Sequence, residues 1–284
     1  MFIKKKKVKE PQYYMSKTNM RTYNYKVYNM SFMEKILYFT LGFIAGALIF
    51  YLFYGGIAKD SFGNPTKTTL IMNIIFLVSG GLIGGFTYVP IRREQIKNKR
   101  QNQLRNQFRD LLESLNVSFG AGKNVLESFK SARNDLANQY DEDAFILYEL
   151  DVILSGIENN IDIEELLEDF GKRSGLLDII SFSNVFKVTF RKGGNIKESV
   201  KNSHEILSEK MLITEEIETM VTASKTEQKL MFFMPILLIG MFKIGSPDFA
   251  DKFTSPAGLV STTIGVILFV VSYFIAQKIL DIKI

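Results

Sequence analysis

The sequence lacks most of the residues from which catalytic and metal centres are built. It contains no cysteine and a single histidine, His204. Without cysteine the chain can form no disulfide, no thiolate nucleophile and no cysteine-ligated metal site. A lone histidine has no second histidine with which to bind a metal, and no partners for a serine–histidine relay are evident. We therefore expect no enzymatic activity and no cofactor or metal.

Charged residues are also missing, from four long stretches of the chain. These are residues 36–58, 70–91, 230–242 and 258–276. A helix needs about 20 apolar residues to cross a bilayer, and the first, second and fourth stretches are long enough. The third is shorter and is followed by Lys243, whose ammonium group can reach the membrane interface on its long side chain. The sequence therefore predicts an integral membrane protein with four spanning helices.

The placement of lysine and arginine predicts the orientation of these spans. Basic residues are dense in residues 4–35 and 92–109 and sparse in the intervening loop, residues 59–69. Because basic loops stay in the cytoplasm, we expect both termini and residues 92–229 on the cytoplasmic side of the cell (inner) membrane. The sequence pI of about 9.1 might suggest nucleic acid. Since the basic residues flank the spans, anionic membrane lipid is the partner that they indicate, and nucleic acid is not.

These observations divide the chain into four predicted segments. Residues 1–33 are predicted to be a flexible, basic, tyrosine-rich cytoplasmic tail, whose Lys4–Lys7 run is either a solvated or lipid-facing segment or a docking site. Residues 34–91 hold two transmembrane helices, and residues 92–229 form a cytoplasmic helical domain. Residues 230–284 hold two further transmembrane helices joined by a short external loop.

Apolar residues recur at helical spacing through residues 92–229, and no long segment alternates with the period of a strand. Three segments also carry a helix N-cap followed by a glutamate three residues later, which is the pattern of a capping box. These pairs are Asn124 with Glu127, Asp162 with Glu165, and Asn195 with Glu198. We therefore expect an all-α membrane protein, with an antiparallel cytoplasmic helix bundle flanked by two pairs of transmembrane helices. The last bundle helix is expected to continue into the third span.

Glycines in the first two spans are spaced four residues apart, so that they share one helix face. Small residues on one face let two membrane helices approach closely. Pro235, inside the third span, is expected to interrupt its backbone hydrogen bonds where a neighbouring helix can compensate. The residues predicted to pack membrane helices are Gly42, Gly46, Gly80, Gly81, Gly84, Gly85 and Pro235.

Residues 134–171 contain twelve acidic residues and no basic residue. Such a run is either a solvated surface that keeps the domain soluble or a docking face for a basic partner. Glu164 and Glu168 are expected on the outer face of their helix, opposite the apolar residues. The candidate partner-binding residues are Asp141, Glu142, Asp143, Glu164, Glu168 and Asp169.

Two other functions are alternatives. His204 lies in a Ser-His-Glu sequence on a long helix, as in the phospho-acceptor of a signalling receptor, but no ATP-binding motif follows it. A small-molecule transporter would place ionisable residues within its spans, and these spans contain none between their ends. Asn73 is the one strongly polar side chain deep in a span, and we expect it to form an interhelical hydrogen bond.

Three segments together resemble a known family. Residues 111–115 (LLESL) with 122–129 (GKNVLESF) are similar to the opening helix, glycine turn and second helix of the type II secretion system F domain. Ser155-Gly156 with residues 163–167 (IEELL) resembles its middle turn, with about three extra residues. Residues 193–200 (GGNIKESV), the long charged helix and Pro235 resemble its closing segment. The resemblance covers residues 104–243, about half of the chain.

The resemblance implies a non-enzymatic function. The family comprises inner-membrane platform proteins of type II secretion, type IV pili and tight-adherence (Tad) pili, and one domain between two pairs of spans resembles the Tad, archaeal and Gram-positive branch. It implies a cytoplasmic secretion ATPase and pilin subunits as partners, with oligomerisation alone or with a related platform protein. The platform would couple the ATPase to pilin extraction and assembly. The long tail and Lys243 depart from the family pattern.

Overall fold

The computed structural model describes residues 10–16, 19–60 and 64–280, and the Lys4–Lys7 run lies outside them. The chain divides into two compact units. The helical unit comprises Met1–Asn29 and Arg93–Ile213, and the membrane unit comprises Met30–Arg92 and Thr214–Ile284. The helical unit begins one residue after the predicted boundary. It ends at Ile213, whereas the sequence placed the end of the domain at residue 229.

Within the described residues the chain is helical almost throughout, which confirms the all-α class. The only strands among them are two short ones. The elements are β1 (Tyr13–Met15), β2 (Arg21–Tyr23), α1 (Phe32–Tyr54), α2 (Lys67–Gly120), α3 (Val125–Ala137), α4 (Phe145–Glu158), α5 (Ile163–Ser174), α6 (Leu177–Arg191), α7 (Ile196–Gly245), α8 (Pro247–Thr254) and α9 (Pro256–Leu280).

Four helices, α1, α2, α7 and α9, are long and apolar enough to cross a membrane. The length and composition of these helices therefore indicate a membrane protein. Helix α2 is 54 residues long and continues through Pro90 far beyond the predicted end of the second span. Helix α7 runs for 50 residues from the helical unit into the membrane unit, as the absence of glycine and proline before Pro235 predicted. The predicted loop between the last two spans contains α8.

The core of the helical unit is built from the apolar stripes that the sequence displays. Helices α3 and α4, α4 and α5, and α5 and α6 pack against each other in sequence order. Phe108 of α2 lies edge-on to Phe182 of α6, with ring centroids 5.4 Å apart. Burial of apolar surface at about 25 cal/mol per Å² is the main force that holds such helices together. The predicted α2 stripe is fully buried: Leu104, Phe108, Leu111, Leu112 and Leu115.

Two of the three predicted N-caps are present. The Asn124 side chain accepts a hydrogen bond from the Glu127 amide at 2.9 Å, and the Glu127 carboxylate accepts one from the Asn124 amide at 3.3 Å. Asn195 accepts one from the Glu198 amide at 3.2 Å. Asp162 occupies the N-cap position of α5, as predicted, but its side chain makes no capping hydrogen bond, so the predicted capping bond is wrong there.

The N-terminal segment differs from the expected flexible tail. Strands β1 and β2 form an antiparallel hairpin in which Tyr13 pairs with Tyr23. The residues that follow pack onto the helical unit, and Tyr25 is only 4% exposed in its core. The Tyr25 amide donates to the Arg173 carbonyl oxygen at 3.0 Å. The interpretation as a flexible tail is therefore wrong for the described part, because its aromatic residues fill space that α4 and α5 leave open.

Candidate partner-binding surface

The predicted docking residues separate into two groups with different surroundings. Asp141, Glu142 and Asp143 form the turn before α4, and all three are exposed. The Ala144 amide donates to the Asp141 carbonyl oxygen at 2.9 Å, which fixes the turn. These three carboxylates lie at the surface, where a basic partner could reach them.

The second group, on α5, is engaged by basic residues of the same unit. Glu164 is 5% exposed and accepts a hydrogen bond from Arg191 of α6 at 3.3 Å. Its expected position on the outer face is therefore wrong. A buried carboxylate requires a counterion, and Arg191 supplies it from a different helix. Asp169 accepts a hydrogen bond from Arg173 at 2.6 Å.

Glu168 is held by two lysines. It accepts hydrogen bonds from Lys172 at 2.6 Å and from Lys187 at 2.7 Å. The hydrogen bonds from Lys172 and Lys187, with the charges of both, lower the pKa of Glu168 to about 2. Glu168 is thus ionised at neutral pH, but two ammonium groups already neutralise it. Among the predicted docking residues, the carboxylates of the turn before α4 are therefore the ones exposed to a partner.

A buried ion pair lies beneath this surface, at residues that the sequence did not single out. Glu149 is 0% exposed, and its two carboxylate oxygens accept hydrogen bonds from Arg173 at 2.8 and 2.7 Å. The Tyr25 hydroxyl donates to the same carboxylate at 2.9 Å. A sequence signal existed, because Glu149 lies four residues from both Phe145 and Ile153 on the apolar stripe of α4.

The electrostatics of this cluster follow from its burial. Burial and the neighbouring Glu149 carboxylate raise the pKa of Tyr25 well above its usual value, so its hydroxyl keeps its proton and donates. Burial alone lowers the pKa of Arg173, but its hydrogen bonds and charge contacts with Glu149 and Asp169 outweigh burial and raise it. Arg173 therefore keeps its charge inside the core, where its hydrogen bonds to Glu149 and to the Tyr23 carbonyl oxygen join α4, α5 and the N-terminal segment.

A cleft of about 410 Å³ lies between the hairpin and α4–α6. It is lined by apolar side chains and by charged side chains of both signs. The residues that line it include Tyr14, Thr22, Glu168 and Asp169.

His204 is a packing residue in this structure. It is half-buried on α7, and its Nδ1 lies 3.4 Å from the carbonyl oxygen of Arg109 on α2. Among the described residues, no group of three or more histidines or carboxylates could hold a metal ion.

In the membrane unit the predicted glycines lie where α1 and α2 meet. A β-carbon built on Gly42 would lie 2.7 Å from the carbonyl oxygen of Gly84, and one on Gly84 would lie 3.0 Å from the Cα of Gly46. A β-carbon on Gly46 would likewise overlap the Gly80 carbonyl oxygen. The two backbones therefore touch. The remaining two predicted glycines make room for phenylalanine rings of α1: Gly81 for Phe43, and Gly85 for Phe39.

Pro235 lines an apolar groove of about 670 Å³ formed by α1, α7 and α9 within the membrane unit. The groove walls are mainly aromatic and aliphatic. They include Phe50, Phe232, Phe269 and Tyr273.

The polar residues of the membrane unit join helices to loops. The Asn73 side chain accepts a hydrogen bond from the Gly56 amide at 2.9 Å, so it ties α2 to the loop after α1. Lys243 donates to the Gly55 carbonyl oxygen at 3.1 Å and lies 5.0 Å from the centre of the Phe253 ring. Both side chains therefore bind the backbone of the loop that follows α1, Asn73 from α2 and Lys243 from α7.

Comparison of the chain with models of known protein families, with curated proteins and with solved structures finds no match.

Proposed function

We propose that the protein is a non-enzymatic membrane platform of a pilus or type II-like secretion machine, coupling a cytoplasmic ATPase to pilin extraction and assembly. The observation that carries the proposal is the order of elements. A compact helical unit, which contains one capping box and one further N-cap, has most of its residues, 93–213, in sequence between two pairs of helices that are apolar enough to span a membrane. This order is the one that the resemblance to the F domain implies.

The proposal includes an orientation and a cytoplasmic partner. The basic residues 92–109 favour a cytoplasmic helical unit, with both termini on the same side. The ATPase would dock on the exposed acidic turn, Asp141–Asp143, through a basic surface. Complementary charge of this kind mainly raises the association rate and selects the partner. The acids of α5 contribute less, since basic residues of the helical unit already pair with them.

The membrane unit would contact the pilin subunits. Its groove beside Pro235 has an apolar and aromatic lining that suits part of an apolar helix, and packed small residues are a common basis of helix association in lipid. Oligomerisation, alone or with a related platform protein, belongs to the same proposal. The contacts of His204 and Asn73 are those of packing residues, so no observation favours the receptor or the transporter.

The test is affinity purification of the full chain in mild detergent from cells that contain the secretion ATPase and pilin of the same system. Both partners should co-purify. The double change Asp141→Lys and Asp143→Lys should reduce ATPase recovery by at least tenfold at low salt while pilin recovery stays unchanged. Glu113→Lys, at another exposed acid of the helical unit, is the matched control. Recovery of neither partner by the wild-type chain would refute the platform function.

A further inference from the structure

We propose that the groove beside Pro235 holds one acyl chain of an anionic membrane phospholipid, and that Lys229 and Lys278 bind the phosphate of the same lipid molecule. The site lies entirely within the membrane unit. The inference goes beyond the platform function and does not depend on it.

The groove runs along one face of α9. The α9 residues that line it occur as adjacent pairs that recur every four residues, from Ser261 to Phe274. Residues at this spacing share one face of a helix, and the interval from Ser261 to Phe274 extends about 20 Å along it. Helix α7 contributes a second apolar row, from Phe232 to Ile239. The groove is therefore elongated and follows the direction of the helices.

The volume of the groove favours a lipid chain as its occupant. The groove measures about 670 Å³. A helix about 10 Å across and 20 Å long occupies about 1,600 Å³, so a whole helix does not fit inside. One leaflet of the hydrocarbon core is about 15 Å thick, and an acyl chain of that length fits along the groove. A pilin helix could contact only the edge of the groove while the chain lies inside it.

Two lysines continue the groove-lining rows at one end. Lys229 precedes Phe232 by three residues and Lys278 follows Phe274 by four. Each lysine therefore lies on the groove-lining face of its helix. The ring of Phe232 packs edge-on against that of Tyr273, with centroids 4.9 Å apart, which brings α7 and α9 together at this end. Both ammonium groups therefore lie at the same end of the groove, just outside the apolar part of the two helices.

The charges of the two lysines are available to a ligand. Both side chains are exposed, and neither forms an ion pair within residues 10–16, 19–60 and 64–280. Glu227 is two residues from Lys229 and points from a different face of α7, and Asp281 lies outside the described residues. Lysine binds phosphate as a point charge, and lysines beside a span attract anionic lipid. The lysines and the groove together therefore suit the phosphate and one chain of a single lipid.

The experiment is native mass spectrometry of the full chain in detergent, titrated with dipalmitoyl phosphatidylglycerol or with dipalmitoyl phosphatidylcholine. The two lipids have the same chains, and only the first has a net negative charge. Phosphatidylglycerol should bind at least tenfold more tightly. The double change Lys229→Gln with Lys278→Gln should remove this preference. Lys252→Gln is the matched control, at an exposed lysine of α8 beyond the other end of α9, and should keep it.

A change inside the groove tests the position of the chain. A β-carbon on Gly265 meets open space in the groove, so Gly265→Leu should fill that space and weaken the binding of both lipids at least tenfold. Val271→Phe adds a similar volume at an exposed position of α9 that does not line the groove. It should leave both affinities unchanged.

The proposal is overturned if the wild-type chain binds the two lipids equally tightly, or if the double lysine variant keeps its preference for phosphatidylglycerol. It is equally overturned if Gly265→Leu binds both lipids as the wild type does, since the chain would then lie elsewhere. None of these results bears on the recovery of the ATPase or the pilin, so the platform function is tested separately.

Discussion

Arg173→Met tests how strongly the buried ion pair supports the helical unit. The change removes both hydrogen bonds to the Glu149 carboxylate and the bonds to Tyr23 and Asp169. Glu149 stays fully buried with the Tyr25 hydroxyl as its only remaining partner among those contacts. Breaking a buried pair by removing one partner costs about 3–5 kcal/mol. The Asp169 contact adds at most about 1 kcal/mol, because that carboxylate is exposed.

A loss of this size is a large fraction of the free energy of unfolding of a typical domain, which is about 5–15 kcal/mol. The assay is urea unfolding of the full chain in detergent, with the protection of α4 and α5 amides followed by hydrogen exchange. Lys172→Met is the control on the same helix: its side chain is 69% exposed, and an exposed salt bridge such as the one that it forms with Glu168 contributes little to stability, so it should lower the free energy of unfolding far less than Arg173→Met. The double change Glu149→Leu with Arg173→Met should recover most of the loss, because no charge then remains buried.

If Arg173→Met changes the free energy of unfolding by less than about 1 kcal/mol, the ion pair does not support the helical unit, since a buried carboxylate that loses its partner should cost more. A double variant no more stable than the single one would contradict the same role.

Three further outcomes are expected. Gly84→Ala should lower the free energy of unfolding of the membrane unit by about 1–3 kcal/mol, because the added methyl group would overlap α1. The control Gly265→Ala should leave it unchanged, because a β-carbon there meets open space. Lowering the pH from about 4.5 to about 2 should remove the stabilisation due to Glu168, whose folded pKa lies below its unfolded value, and Glu168→Gln should lack this part of the acid transition. His204→Gln should leave pilus or secretion output within a few-fold of wild type. Loss of that output in a normally folded variant would instead favour the receptor function.

The sequence predicts those features that depend on neighbouring residues. A charge-free stretch of about 20 residues suffices to predict a spanning helix, and a capping box requires only Asn124 and Glu127, three residues apart. The glycine faces of α1 and α2 are equally local. For the same reason the helical class was predictable, because the apolar period is a property of each segment.

The remainder depends on partners that are distant in the sequence. Tyr25 donates a hydrogen bond to Glu149, 124 residues away, so nothing within residues 19–29 distinguishes a packed segment from a flexible tail. Arg191 pairs with Glu164 across 27 residues. Residues 134–171 contain no basic residue in the sequence, but in the fold Lys187 and Arg191 of α6 pair with acidic residues of this segment. Counting charges along the chain could not reveal that neutralisation.

The most direct test of the platform account is the side of the membrane on which the helical unit lies, because a platform must meet its ATPase in the cytoplasm. Single cysteines at Asn64, Ala137 and Ser255 can be introduced into a chain that has none and treated with a membrane-impermeant maleimide. Intact cells should be labelled at residues 64 and 255, and at residue 137 only after lysis. Labelling of residue 137 in intact cells would contradict the account.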